Sequence, residues 1–219
     1  MFLKKINSDL SEKLETAGIV VPTTLQKKTF GIIKSGADCV IAAPRSGGKT
    51  TAIIISVIQR LEKPFEESPR ALVMAENKEK VLEMQELFKK LSKYTGLRIY
   101  GVYEQGDIDY DKNQISAGID ILIGTPGMLN EMFSGAGFDV NRLKMFILDD
   151  AHVLLKQRQD TKVLRMSDGI IKTQRIFFTE TVTERVESLA NRIMIEPNYF
   201  EFEDEKKDEA AADNSGTEQ

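Results

Sequence analysis

A run of small and basic residues occupies positions 43–50, with the sequence Ala-Pro-Arg-Ser-Gly-Gly-Lys-Thr. An apolar run precedes it and an apolar helical pattern follows it, which is the strand, loop and helix layout of a phosphate-binding loop with Ala43 in place of the first glycine. Small residues let backbone N–H groups close around phosphate oxygens, and the following helix N-terminus adds a favourable dipole. A Gly-Gly-Lys turn that merely caps the helix is the alternative.

The loop divides its predicted tasks among six residues. Lys49 is predicted to reach the β and γ phosphates and to act in catalysis, while the Thr50 hydroxyl is predicted to ligate Mg²⁺. The residues predicted to surround the phosphates are Arg45, Ser46, Gly47 and Gly48.

Two adjacent acids are predicted to complete this site. Mg²⁺ needs a carboxylate partner and hydrolysis needs an oriented water, and Asp149 and Asp150 lie at the end of the buried-strand pattern of residues 145–149. Asp149 is predicted to hold the metal, directly or through water, and Asp150 to orient the attacking water as a base. Adjacent acids at a strand end are common by themselves, so their meaning depends on the loop at 43–50.

The elements that must position these residues are short apolar runs alternating with longer helical patterns. Such alternation predicts right-handed crossovers and a three-layer α/β domain with a mainly parallel central sheet, whose ligands gather at the carboxyl ends of the strands. The predicted strands are 39–42, 71–75, 98–102, 121–124, 145–149 and 175–178, and the predicted helices are 24–34, 49–61, 78–94, 128–133 and 183–191.

Composition sets the domain boundary and limits the partners. Residues 1–203 are predicted to form one domain, and residues 204–219 a disordered acidic tail. Residues 201–219 hold eight acidic side chains and two lysines, so the net charge of -4 leaves +2 for residues 1–200. A domain this close to neutrality should contact nucleic acid only locally and weakly. The chain has no apolar run of about 18 residues, which predicts a soluble, cytoplasmic protein without membrane contact.

Taken in order, these motifs resemble the first RecA-like domain of the DEAD-box RNA helicases, from residue 2 to about residue 202. The resemblance implies a RecA-like phosphate-loop NTPase fold with ATP and Mg²⁺ as cofactors. The run Pro-Thr-Thr-Leu-Gln at 22–26 resembles the family's Q motif, in which a glutamine reads the adenine edge and an upstream aromatic residue stacks on the ring. Gln26 and Phe2 match those positions, which implies selection of ATP over GTP. Without the loop, Gln26 would be read as a polar residue at a helix start.

The same resemblance extends to RNA contacts. Thr125, Pro126 and Gly127 resemble the start of the Thr-Pro-Gly-Arg motif, whose hydroxyl and helix N-terminus hold an RNA phosphate, but Met128 replaces the arginine. Lys78 lies where the family has the arginine of Pro-Thr-Arg-Glu and is expected to replace its charge. Loss of phosphate contacts should weaken binding of single-stranded RNA and flatten its salt dependence.

A third motif implies coupling between the ATP and RNA sites. Thr179 and Thr181 resemble the hydroxyl positions of the family's Ser-Ala-Thr motif, with the foreign carboxylate of Glu180 between them. The family position of His152 contacts this motif, so Thr179 or Thr181 is its expected partner.

Departures from the family predict impaired chemistry. Ser46 replaces a glycine, and a positive φ there would cost about 1 to 3 kcal/mol. Asp150 replaces a glutamate and withdraws the carboxylate by roughly 1 Å, which can cost on the order of 10²-fold in rate. The family's second RecA-like domain supplies an arginine finger worth about 10³- to 10⁵-fold in related sites, and it could come from a protein partner.

Three hypotheses follow from this reading. The first is an RNA-stimulated ATPase domain with weak hydrolysis and no efficient unwinding alone. The second is a non-catalytic nucleotide- or RNA-binding regulatory module. The third is an unrelated phosphate-loop NTPase of the transport or signalling type, which would show no adenine preference.

Overall fold

The computed structural model describes residues 6–203. Phe2 and the predicted tail at 204–219 lie outside the described residues. In the described part, the chain forms one sheet of seven strands in the order β3-β4-β2-β5-β6-β1-β7, and every pair of neighbours is parallel. The strands are β1 Cys39–Ala42, β2 Ala71–Met74, β3 Ile99–Val102, β4 Ile121–Gly124, β5 Met145–Leu148, β6 Gln174–Thr179 and β7 Asn198–Glu201.

Nine helices accompany these strands within residues 6–203. Their starts follow local signals: Asn77, Asp107 and Thr183 each cap a helix N-terminus through a side-chain oxygen, and Pro126 occupies the first turn of α6. The helices are α1 Ser8–Thr16, α2 Thr24–Ser35, α3 Lys49–Leu61, α4 Lys78–Ser92, α5 Ile108–Ser116, α6 Pro126–Ser134, α7 Ala151–Lys156, α8 Asp160–Asp168 and α9 Glu184–Ile193.

The sheet separates two hydrophobic cores, one on each face. Residues of α1 to α4 pack with Cys39 and Ile41 of β1, whereas residues of α5 to α9 pack on the other side with Val40. This alternation along one strand follows the two-residue period of β structure. The domain is therefore the three-layer α/β arrangement that the sequence predicts, with both faces of its parallel sheet covered.

All six predicted strands and all five predicted helices correspond to observed elements, with ends shifted by a few residues. Sequence reasoning missed β7, which is a polar edge strand, and the helices α1, α5, α7 and α8. Burial raises the pKa of the Cys39 thiol to about 12 and, with Asp38, keeps it uncharged, as suits a core residue. Among the described residues, no helix combines the length and apolarity needed to cross a bilayer.

Candidate functional site

The phosphate-loop residues form a turn between β1 and α3. Gly48 has φ of 81°, in the left-handed region, directly before α3 begins at Lys49. Ser46 does not have a positive φ, so the backbone cost expected at this residue does not arise. A Cβ on Gly47 would stand 3.1 Å from the Pro44 carbonyl oxygen, which leaves little space for a larger residue. Arg45 and Ser46 are exposed at the rim.

Lys49 is buried with its ammonium directed back over the loop. Its side chain is only 4% exposed, and Nζ donates hydrogen bonds to the carbonyl oxygens of Ala43 and Pro44, both at 3.2 Å. Two carboxylates approach the same nitrogen, Asp150 Oδ1 at 3.5 Å and Glu180 Oε1 at 4.0 Å. A buried ammonium needs such partners, and they hold Lys49 where the phosphate loop closes.

Asp149 and Thr50 meet although they lie 99 residues apart in the sequence. The Thr50 hydroxyl donates to Asp149 Oδ2 at 3.4 Å, while Asp149 Oδ1 is buried without a hydrogen-bond partner among the described residues. Burial, reinforced by the neighbouring Asp150 carboxylate, raises the pKa of Asp149 to about 6 against the opposing pull of Lys80 and Lys49. An unpaired carboxylate oxygen beside a hydroxyl is the oxygen donor set that Mg²⁺ prefers, so these residues fit the metal.

Asp150 lies at the mouth of the same cleft in an unusual backbone conformation. Its φ of 50° and ψ of 51° are left-handed, which aspartate tolerates better than most residues. Its Oδ1 is close to Lys49 Nζ but makes no hydrogen bond with it. The carboxylate is therefore available to another donor.

Gln26 already has a structural task in this structure. Its Oε1 accepts from the Thr23 N–H at 3.1 Å and its own N–H donates to Thr23 Oγ1, which together form the capping box of α2. The Thr23 hydroxyl in turn donates to the Gly47 carbonyl, and Gln26 Nε2 lies against Gly48. Gln26 thus contacts the phosphate loop, and its place at a helix start is confirmed, while its role as adenine reader stays a prediction.

The cleft has a second wall that sequence reasoning mostly missed. The start of α4 forms this wall. Helix α4 follows β2, and β2 lies beside β5 in the sheet, so the carboxyl ends of both strands lie at the same edge. Only the resemblance to the Pro-Thr-Arg-Glu motif, in which Glu79 matches and Lys78 replaces the arginine charge, drew attention to this segment. The cleft is lined by Arg45, Gly48, Lys49, Thr50, Thr51, Glu76, Asn77, Glu79, Lys80, Glu83 and Asp150.

The predicted RNA residues lie together at the next strand ends. Thr125 occupies the N-cap position of α6 without a side-chain hydrogen bond to the helix, and Pro126 and Gly127 begin the helix. The Thr125 hydroxyl donates instead to Glu104 Oε2 at 2.7 Å. Lys78 begins α4, and its Nζ lies 4.8 Å from the ring centre of Tyr103, the residue before Glu104. Glu104 was missed, since nothing in its sequence neighbourhood identifies it as a partner of Thr125.

The expected partner of His152 is wrong. His152 Nδ1 accepts from the Glu180 backbone N–H at 3.3 Å, and Nε2 lies 3.9 Å from Glu180 Oε2, while the Thr179 hydroxyl donates to the Thr181 carbonyl at 2.8 Å. Thr179 is fully buried at the end of β6, and its hydroxyl proton goes to the Thr181 carbonyl rather than to His152. Glu180 therefore connects His152 with Lys49.

A parallel sheet, a glycine-rich loop between β1 and a helix start, and an acid pair after β5, which β6 separates from β1, define a RecA-like phosphate-loop NTPase domain. The family model described as DEAD/DEAH box helicase matches residues 23–189. The chain belongs to that family.

Similar proteins agree with this assignment. The chain is 26% identical over 196 residues to eukaryotic initiation factor 4A of Caenorhabditis elegans, covering 88% of this chain and 48% of the relative. It is 29% identical over 214 residues to the ATP-dependent RNA helicase RhlB of Pseudomonas putida, covering 92% and 53%. It thus spans about half the length of these curated relatives.

Solved structures share the fold. A DEAD box protein from the hyperthermophile Methanococcus jannaschii superposes with a TM-score of 0.85 at 19% identity, over 90% of this chain and 54% of the other. A Saccharomyces cerevisiae Dbp5 structure gives 0.78, also at 19% identity, over 90% and 52%.

Proposed function

We propose that this chain is the ATP-binding domain of an RNA helicase, which binds Mg-ATP and single-stranded RNA, hydrolyses ATP slowly and does not unwind duplexes efficiently alone. The observation that carries the proposal is the meeting of Thr50 with Asp149 and of Lys49 with Asp150, at 3.4 and 3.5 Å. Sheet topology brings these two distant motifs to one cleft. The names of the relatives, one of which is an ATP-dependent RNA helicase, support ATP and RNA as ligands.

In this proposal each side chain has one task. Lys49 exchanges its loop carbonyl partners for phosphate oxygens. Thr50 and Asp149 would hold Mg²⁺, and the ion would supply positive charge to the β and γ phosphates. Asp150 orients the attacking water and accepts its proton, because its Oδ1 has no hydrogen-bond partner of its own among the described residues. Gln26 presents its amide group to the adenine edge while its oxygen keeps the helix cap.

Three features support slow hydrolysis. The aspartate at 150 reaches less far than a glutamate would, and Asp150 and Glu180 both compete with phosphate for Lys49. We further propose that a second RecA-like domain, provided by a protein partner or by further chain, supplies the arginine that this cleft needs in the transition state. A cytoplasmic location stays a prediction.

Calorimetric titration with ATP and with GTP tests the nucleotide assignment. ATP should bind in the presence of Mg²⁺, and Lys49→Ala should abolish binding. Gln26→Glu keeps the oxygen that caps α2 but removes the amide donors, so it should reduce the preference for ATP over GTP without loss of thermal stability. Equal affinity of the wild type for ATP and GTP would instead favour a phosphate-loop NTPase without adenine selection.

Phosphate release in the same samples, with and without single-stranded RNA, tests the catalytic part. Slow release that RNA accelerates is the expected result. Nucleotide binding without turnover under either condition would favour the second candidate, a regulatory module that binds nucleotide or RNA. The contact of the foreign Glu180 carboxylate with Lys49 is the observation in favour of that candidate.

A further inference from the structure

Glu104 places a carboxylate on the residues assigned above to an RNA phosphate. It lies in the exposed turn between β3 and α5, and its Oε2 accepts the proton of the Thr125 hydroxyl at 2.7 Å. Its other oxygen occupies the space in which a Cβ on Gly127 would stand, and Lys162 Nζ is 3.5 Å from that same point. One acidic side chain thus covers both Thr125 and Gly127.

The Glu104 carboxylate and an RNA phosphate cannot bind to Thr125 and Gly127 at the same time. The Thr125 hydroxyl has a single proton, which it donates to Glu104, and Thr125 is only 3% exposed and so has little access to other partners. The positive end of the α6 dipole and the Lys162 ammonium favour one anion there, whereas two anions at contact distance repel each other. A phosphate can bind only if the Glu104 side chain leaves.

Departure of Glu104 requires little rearrangement of the protein. The residue is exposed, and the turn that carries it is closed by a long hydrogen bond of 3.3 Å from the Gly106 N–H to the Tyr103 carbonyl. The neighbouring Gln105 has φ of 76°, a conformation that favours glycine. The side chain can therefore swing into solvent while the buried Val102 at the end of β3 keeps its packing.

We propose that Glu104 is an internal competitor for RNA phosphate at Thr125 and Gly127 and that it sets the RNA affinity of this domain. The proposal rests on the proposed RNA-binding function. RNA has to displace the carboxylate before a phosphate can accept the Thr125 hydroxyl proton. Removing the negative charge should therefore tighten RNA binding and add about one phosphate contact to the complex.

The test uses the 219-residue chain with Glu104→Gln and a matched control, Glu131→Gln. The control also removes one negative charge from α6 or its surroundings. Glu131 is exposed on α6 but lies away from the N-terminus of the helix, where the phosphate is proposed to bind. Fluorescence anisotropy with a labelled oligouridylate, over a range of salt concentrations, gives affinity and salt dependence. Thermal melts of each variant show whether it is folded.

Glu104→Gln should tighten binding about 5- to 10-fold at low salt, which is the size expected for removing one charge near a phosphate in partly screened surroundings. The slope of log affinity against log salt should steepen by about 0.7, the value for one extra phosphate contact with a single strand. A purely structural role for Glu104 would not change this slope. Adding Thr125→Val to Glu104→Gln should cancel most of the gain.

A second readout separates failure of this proposal from failure of the proposed function. In NMR titrations with sulfate, the Gly127 amide signal should shift at lower sulfate concentration in Glu104→Gln than in the wild type. If all variants bind RNA equally, RNA binding stands and competition by Glu104 is wrong. If none binds RNA, the RNA assignment fails, and the sulfate titration then tests whether Glu104 competes with an anion. A Gly127 shift at lower sulfate concentration in Glu104→Gln supports this competition, and equal or absent shifts overturn it.

Discussion

Replacing Asp149 by asparagine should make the stability of the free protein less sensitive to pH. The wild-type carboxyl is 1% exposed, one of its oxygens has no hydrogen-bond partner among residues 6–203, and its pKa is raised from the usual 3.8 to about 6. The folded protein therefore binds this proton more tightly than the unfolded chain does. Asparagine has nearly the same shape and keeps an oxygen that can accept from Thr50, but it cannot ionise.

The sign and size follow from proton linkage. Between pH 3.8 and about 6 the folded state holds more protons than the unfolded state, so wild-type stability falls as the pH rises through this window, and the loss is complete about one pH unit above the folded pKa of about 6. At 1.36 kcal/mol for each pKa unit, Asp149 accounts for about 3 kcal/mol over the whole window. About 2 kcal/mol of this change lies between about pH 4.5 and about pH 7.5.

Urea unfolding of wild type and Asp149→Asn at several pH values measures this effect. The stability of the variant minus that of the wild type should rise by about 2 kcal/mol from about pH 4.5 to about pH 7.5. This difference cancels any constant cost of burying the new amide. Asp168→Asn, at an exposed position, is the matched control and should show no such rise. Parallel stability curves for wild type and Asp149→Asn would refute the reasoning.

Three further substitutions test other parts of the structure. Asp120→Asn should destabilise the fold by about 3 to 5 kcal/mol in denaturant titrations, since Asp120 is fully buried between Arg70 at 2.6 Å and Arg98 at 2.9 Å. Gly124→Ala should cost about 1 to 3 kcal/mol in the same assay, because the new Cβ would stand 2.7 Å from side-chain carbons of two packed residues. Glu180→Gln should tighten ATP binding several-fold in calorimetry, because it removes one of the two carboxylates near Lys49.

Asp120→Asn has a refuting outcome, and each of the other two substitutions has a control variant. Stability of Asp120→Asn within about 1 kcal/mol of wild type would show that the ion cluster contributes little. Gly31→Ala should stabilise rather than destabilise, because its Cβ meets nothing within 4 Å and alanine favours helices. Glu184→Gln, on the exposed start of α9, should leave ATP affinity unchanged. An unchanged affinity in Glu180→Gln as well would exclude competition for Lys49.

The sequence was sufficient for features that depend on local pattern. The phosphate loop is recognisable by its small residues before a lysine and a threonine. Buried parallel strands are apolar throughout, so the bounds of β1 and β5 could be predicted to within about one residue. The rule that ligands gather at strand carboxyl ends then placed Asp149 near Thr50 without any knowledge of strand order.

Contacts between side chains from separate loops could not be predicted from the sequence. Nothing near Glu104 in the sequence points to Thr125, and the contact exists because β3 and β4 are neighbours in the sheet. The partner of His152 was wrong for a related reason: Nδ1 accepts from the backbone N–H of Glu180, a donor that side-chain types in the sequence do not reveal. The amphipathic signals of α5 and α8 were obscured by their many charged residues.

Strand order also has a consequence for synthesis of the protein on the ribosome. β1, which carries the phosphate loop, pairs only with β6 and β7, and the Ala43 N–H that begins the loop donates to the Thr179 carbonyl. These partners are translated more than 130 residues after β1. The phosphate loop of a nascent chain therefore cannot adopt its folded conformation early in translation. A bound nucleotide can stabilise the fold only after nearly the whole domain has been translated.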